Sequence, residues 1–70
     1  TAIDNIDEHI KELNSTNDNQ EIKSILHQIK GVAGNLRMEE LYQFIINLDL
    51  ERFNNHLIIE LQNILDKYRN

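Results

Sequence analysis

No proline and only two glycines, Gly31 and Gly34, interrupt these seventy residues, and that scarcity constrains the fold more than any other feature of the sequence. Proline and glycine punctuate most turns of sheet proteins and end many helices. Their near absence directs the chain toward a few helices joined by polar turns. The apolar residues agree. Ile3, Ile6, Ile10 and Leu13 recur at helical spacing, with Asp4, Asp7 and Glu8 where the positive end of a helix dipole favours acid. Residues 14–19 are all Asn, Ser, Thr or Asp, side chains that compete with the backbone for hydrogen bonds, so this stretch reads as a connection ending in a helix cap.

Ile22, Ile25, Leu26, Ile29, Val32, Ala33 and Leu36 form the strongest amphipathic pattern in the chain. A break is expected near Gly34-Asn35-Leu36-Arg37, because glycine and asparagine tolerate the left-handed conformation that ends helices. Met38, Leu41, Tyr42, Ile45 and Leu48 make a third stripe, and Phe53, Leu57, Leu61, Ile64, Leu65 and Tyr68 a fourth. Either Asn47 or Asp49 is positioned to cap a last helix starting near Leu50. The alternative is one helix from Met38 to Tyr68, which would bury little in a monomer and favour dimerisation. The expectation is an all-α antiparallel four-helix bundle with a short C-terminal half, forming a single domain over residues 1–70.

Composition excludes several function classes. Without cysteine there is no disulfide, thiolate metal site or catalytic thiol. Twelve acidic against seven basic residues, a formal net charge of -5, argue against general affinity for nucleic acid or anionic lipid. No apolar run approaches the roughly 20 residues of a membrane span and no signal-peptide pattern opens the sequence, so a cytoplasmic location is expected. No glycine-rich loop followed by Lys-Ser/Thr is present. A nucleotide site or kinase activity of the chain's own is therefore not expected.

On a helical wheel His27 falls roughly 160° from the centre of the second apolar stripe, facing solvent. Its neighbours one turn away are Lys23 at i-4, Lys30 at i+3 and Gly31 at i+4. Glycine inside a helix costs about 1 kcal/mol relative to alanine, and close approach of another molecule is a reason to keep Gly31 there. With Gly34 on the same side, the surface beside His27 would be bare backbone. Imidazole offers a nucleophilic nitrogen near neutral pH. A lysine at i+3 can reach an oxyanion attached to that nitrogen.

The run His27-Gln28-Ile29-Lys30-Gly31-Val32-Ala33-Gly34-Asn35-Leu36 resembles the signature of the histidine-containing phosphotransfer (HPt) family of two-component phosphorelays, and Met38-Glu39-Glu40-Leu41 resembles the start of that family's next helix. The resemblance implies a four-helix bundle whose exposed histidine, here His27, accepts phosphate from an aspartyl phosphate on a receiver domain and passes it to a response regulator. Lys30 would steady the phosphoryl oxygens and Gly31 give clearance. Lys23, Gly31, Gly34 and Arg37 would face the partner. Mg2+ is expected on the partner receiver domain, with no cofactor bound by this chain, and a histidine kinase is a second candidate donor. Arg37 stands where the family usually has glycine, which could alter the turn or add a cation near the partner. A non-catalytic helical interaction or dimerisation module is the alternative, and it predicts that His27 is dispensable.

His9 and His56 lack an adjacent Lys-Gly pair and read as ordinary surface residues. No two of the three histidines have the i, i+4 spacing of a metal site, so no metal is expected. Glu39 and Glu40 read as dipole-compensating residues. Phe44 and Ile59 fall off the main stripes and are candidates for a partner surface.

Overall fold

The computed structural model describes residues 1–69 and consists of four α-helices: α1 (Ala2–Ser15), α2 (Asn19–Asn35), α3 (Glu39–Ile46) and α4 (Asn55–Asp66), with a single 3-10 turn at Leu50–Arg52. No strand occurs among the described residues. Three of the helices begin on a side chain that satisfies a free backbone N–H. Thr1 accepts from Asp4 in a capping box, Asp18 from the N–H of Gln20 (3.0 Å) and Asn54 from the N–H of Leu57 (3.2 Å).

α3 starts differently. Its N-cap, Met38, makes no side-chain cap; instead the N–H of Glu40 donates to the Tyr68 hydroxyl at 3.2 Å, twenty-eight residues along the chain. Beside it Lys67 Nζ meets Glu40 Oε2 at 2.7 Å, and Arg69 reaches Asp7 Oδ2 at 3.1 Å. The Asp7 carboxylate holds the Arg69 guanidinium above its ordinary pKa. These contacts place the C-terminal end of α4 against the N-terminal parts of α3 and α1, so α4 runs antiparallel to both. Each helix packs against its two neighbours in a ring, with α4 closing on α1, the up-down-up-down arrangement expected of short connections.

The core is aliphatic apart from Met38. Ile6, Ile10 and Leu13 of α1 meet Ile22, Ile25, Leu26, Ile29 and Ala33 of α2, with Leu41 and Ile45 of α3 and Ile58, Leu61, Ile64 and Leu65 of α4. Tyr42, Phe44, Phe53 and Tyr68 pack against it partly buried. No polar or charged side chain is buried among the described residues. Burial of each such aliphatic side chain contributes roughly 1.5–3 kcal/mol, and packing of apolar stripes therefore carries the fold.

Three local expectations are corrected. The last helix begins at Asn55 under an Asn54 cap, not near Leu50 under Asn47 or Asp49. Asp49 does cap, but its carboxylate captures the N–H of Glu51 (3.0 Å) for the turn Leu50–Arg52 alone, after which Phe53 turns extended and sets its ring against the core. The single helix from Met38 to Tyr68 is thereby excluded. In α4 the buried position is Ile58, with Leu57 only half-buried. Leu36, assigned to the second stripe, is 48% exposed because α2 stops one residue before it.

Candidate functional site

α2 buries Ile25, Leu26, Ile29 and Ala33, and the helical period then turns His27 outward. The imidazole is exposed. Its electrostatic setting differs from that of the other histidines: His9 Nδ1 lies 3.0 Å from Glu12 Oε1 and His56 Nε2 lies 3.3 Å from Glu60 Oε1. Among the described residues His27 has neither a carboxylate nor a hydrogen-bond partner, so neither ring nitrogen is engaged and the lone-pair nitrogen of the neutral ring is accessible. Lys23 is exposed and Lys30 half-buried. Neither has a carboxylate partner among the described residues.

Helical side chains lean toward the N-terminus of their helix, so a residue one turn downstream overhangs the one before it. Lys30 therefore leans toward the His27 ring, and any side chain at position 31 would lean the same way. A Cβ built on Gly31 meets nothing within 4 Å. No packing inside the chain requires this glycine, and its bare surface is open to another molecule. Gly34 is placed otherwise: its added Cβ would lie 3.4 and 3.5 Å from two carbons of the Tyr42 ring. It seats α3 against the end of α2, and only Gly31 leaves wholly open space.

Beside His27 a groove of about 540 Å³ runs between α2 and the C-terminal end of α3. Lys23, His27 and Lys30 line one side, Leu26 and Ile45 the floor, and Ile46, Leu48 and Leu50 the other side. Ile46 is 47% and Leu50 38% exposed, two of the four large hydrophobic residues that the fold leaves out of its core. Sequence reasoning did not single out this apolar wall. Its only signal was Ile46 following Ile45, one residue too many for a narrow stripe. Of the two residues flagged for a partner surface, Ile59 is 58% exposed, whereas Phe44 packs partly against the core.

Arg37 marks the exit of α2. The N–H of Met38 donates to the carbonyl of Ala33 (2.8 Å) and that of Arg37 to Gly34 (3.3 Å), the paired bonds of a Schellman motif, with buried Met38 and Ala33 as its apolar contact. Arg37 occupies the left-handed position with φ 57°, where glycine is free of strain. The turn is thus kept despite the arginine, and the left-handed residue is Arg37 rather than Gly34 or Asn35. Its side chain is exposed and borders a cleft of about 250 Å³ with Gly34, Glu39 and Tyr42.

No cluster of three or more His, Asp or Glu side chains suited to a metal ion occurs among the described residues. No helix there is long and apolar enough to cross a membrane.

The longest of the four helices carries near its middle an exposed histidine that has no partner among the described residues. The sequence pattern of the Hpt domain family matches residues 1–70, and the chain belongs to that family. Its fold is that of a helical bundle and its family role is histidine phosphotransfer in two-component signalling, in which Hpt domains interact with receiver domains and kinases. Comparison with curated proteins and with solved structures found no match.

Proposed function

We propose that His27 is the phosphoacceptor: it takes a phosphoryl group from the aspartyl phosphate of a receiver domain and passes it to the aspartate of a response regulator. The observation that carries this reading is the contrast among the histidines: among the described residues His27 alone is free of a carboxylate, and it stands between two lysines without an ion-pair partner there, beside a surface left bare by Gly31. An imidazole nitrogen attacks phosphorus in line, the N–P bond forms as the bond to the aspartyl oxygen breaks, and the carboxylate leaves. The reverse step discharges His27 to the next receiver. Lys30 supplies a point charge to the phosphoryl oxygens during both steps.

Mg2+ belongs to the receiver, where it neutralises charge on the transferring group. The domain brings no cofactor of its own. The groove supports docking, because its apolar wall at Ile46 and Leu50 gives a partner surface to bury against while the lysine side holds the reacting group. A histidine kinase catalytic domain as donor is a second reading of the same site, and donor identity separates the two.

The test is incubation of the domain with receiver domains phosphorylated on aspartate, followed by assay for an acid-labile, base-stable phosphate. Label that appears on the wild-type chain and is missing from a folded His27→Gln variant supports the reading. A broad donor panel that leaves the folded wild-type protein unlabelled, or a His27→Gln variant that signals normally, moves the assignment to a non-catalytic interaction module.

A further inference from the structure

We infer that Arg37 is a specificity-determining residue that reads a carboxylate on the receiver domain docked at His27, at a point just past the end of α2 and about 15 Å from the reacting nitrogen. The inference rests on the docking of a receiver at His27 proposed above. It starts from charge. No acidic residue occurs between Glu21 and Glu39, and within that stretch Lys23, Lys30 and Arg37 follow one another at intervals of seven. Seven residues are nearly two helical turns, so Lys23 and Lys30 stack on one face with His27 between them. Arg37 extends the row past the end of the helix, next to Gly34, which shares the His27 face. The row spans about 20 Å.

None of the three cations has a carboxylate partner among the described residues. Arg52, Lys67 and Arg69, by contrast, are each held by an aspartate or glutamate, and Lys11 lies apart on α1. Glu39 borders the same cleft as Arg37, yet forms no ion pair with it. In a chain of formal charge -5, the exposed side of residues 22–38 carries cations and no acid, and is complementary to an acidic surface.

The backbone adds an independent reason to single out Arg37. A left-handed conformation is disfavoured for a residue with a Cβ, and glycine would remove that cost without disturbing the Schellman turn. The arginine is therefore retained at some expense to stability. Its guanidinium offers a planar fork that matches a carboxylate. An interface of about 800 Å² per partner is wide enough for a residue 15 Å from its centre to lie at its rim, where charges govern association rate and salt dependence more than chemistry.

The experiment measures the affinity of a panel of isolated receiver domains for the full chain in a His27→Gln background, with and without Arg37→Gly, at low and high salt. Arg37→Gly is expected to raise the melting temperature and to weaken the best receiver about fivefold at low ionic strength, the gap closing near 1 M salt. Arg37→Glu should weaken it further. With His27 restored, Arg37→Gly should raise the receiver concentration that gives half-maximal transfer about fivefold. Equal affinities with and without the Arg37→Gly change, or no receiver in the panel binding at low salt, would overturn the assignment. So would an effect of Arg37→Gly confined to self-association in sedimentation, which would give Arg37 to a contact between copies. Failure of the phosphoacceptor reading shows separately, as label retained by His27→Gln, and leaves the affinity comparison intact.

Discussion

At the level of single residues the structure separates those held by packing from those left free. Gly31 is the clearest case. Nothing lies within 4 Å of an added Cβ, so Gly31→Ala should stabilise the helix by about 0.5–1 kcal/mol. If the bare surface serves docking, the same change should slow phosphotransfer from a receiver by several-fold, as the methyl leans over His27. Thermal melts and single-turnover transfer on one preparation decide it; faster or equal transfer would remove Gly31 from the contact surface. Lys30→Ala should leave the circular dichroism spectrum unchanged and reduce the rate of His27 phosphorylation about tenfold, the equivalent of roughly 1.4 kcal/mol of lost charge stabilisation. Equal rates would sink that role. His27, Lys30 and Gly31 were legible in the sequence because each is defined by spacing on one helix, and helical spacing is the part of structure that sequence encodes most directly. Arg37 was legible as a cation on the side expected to face the partner, standing where the family usually has glycine. Its left-handed backbone could not be read, since that conformation is normally assigned to glycine or asparagine, and here bonds from Met38 and Arg37 back to α2 impose it on an arginine.

At the scale of elements, α1 and α2 could be traced from periodicity and caps, whereas the chain between α3 and α4 could not. Residues 47–54 hold three possible caps, Asn47, Asp49 and Asn54, and local preference does not rank them. The choice is made by Phe53, whose ring packs against the core from an extended backbone, stopping the 3-10 turn and delaying α4 to Asn55. Tertiary contact thus decides a boundary that propensity leaves open. The start of α3 follows the same logic across a longer distance. Having no cap of its own, α3 borrows the hydroxyl of Tyr68 for the N–H of Glu40. Tyr68→Phe should therefore cost about 1 kcal/mol, the range of a lost helix cap, while preserving the ring's packing. Faster amide exchange confined to the first turn of α3 would locate the loss. An unchanged denaturation midpoint and unchanged exchange would mean that water replaces the hydroxyl at no cost. The groove beside His27 depends on this helix, since Ile45 and Ile46 form part of its lining, so the distant tyrosine supports the candidate docking surface through the placement of α3.

For the whole molecule, the overall ring of helices was legible because four apolar stripes have few ways to cover one another. The groove was not, because it arises where a short α3 ends beside a long α2 and leaves Ile46 and Leu50 outside the core. A domain of this size has only a few kcal/mol of net stability, held by an aliphatic core with no buried polar network. Truncating a fully buried member of that core, such as Leu41 or Leu61, should cost about 2–5 kcal/mol, a large part of the total. The two sites differ in what lies above them: Leu41 is on α3, near the groove, and Leu61 on α4, closer to the opposite side of the ring. If the core acts only by keeping the bundle folded, transfer by Leu41→Ala and Leu61→Ala should fall in proportion to the unfolded fraction of each, measured by circular dichroism at the assay temperature. Corrected for that fraction, both should match the wild type within about twofold, the scatter expected when distant sites are additive. A further loss in Leu41→Ala alone would show that α3 sets the geometry of the docking groove as well as its existence, because a shift of α3 moves Ile46 against His27 while the same loss of stability in α4 does not.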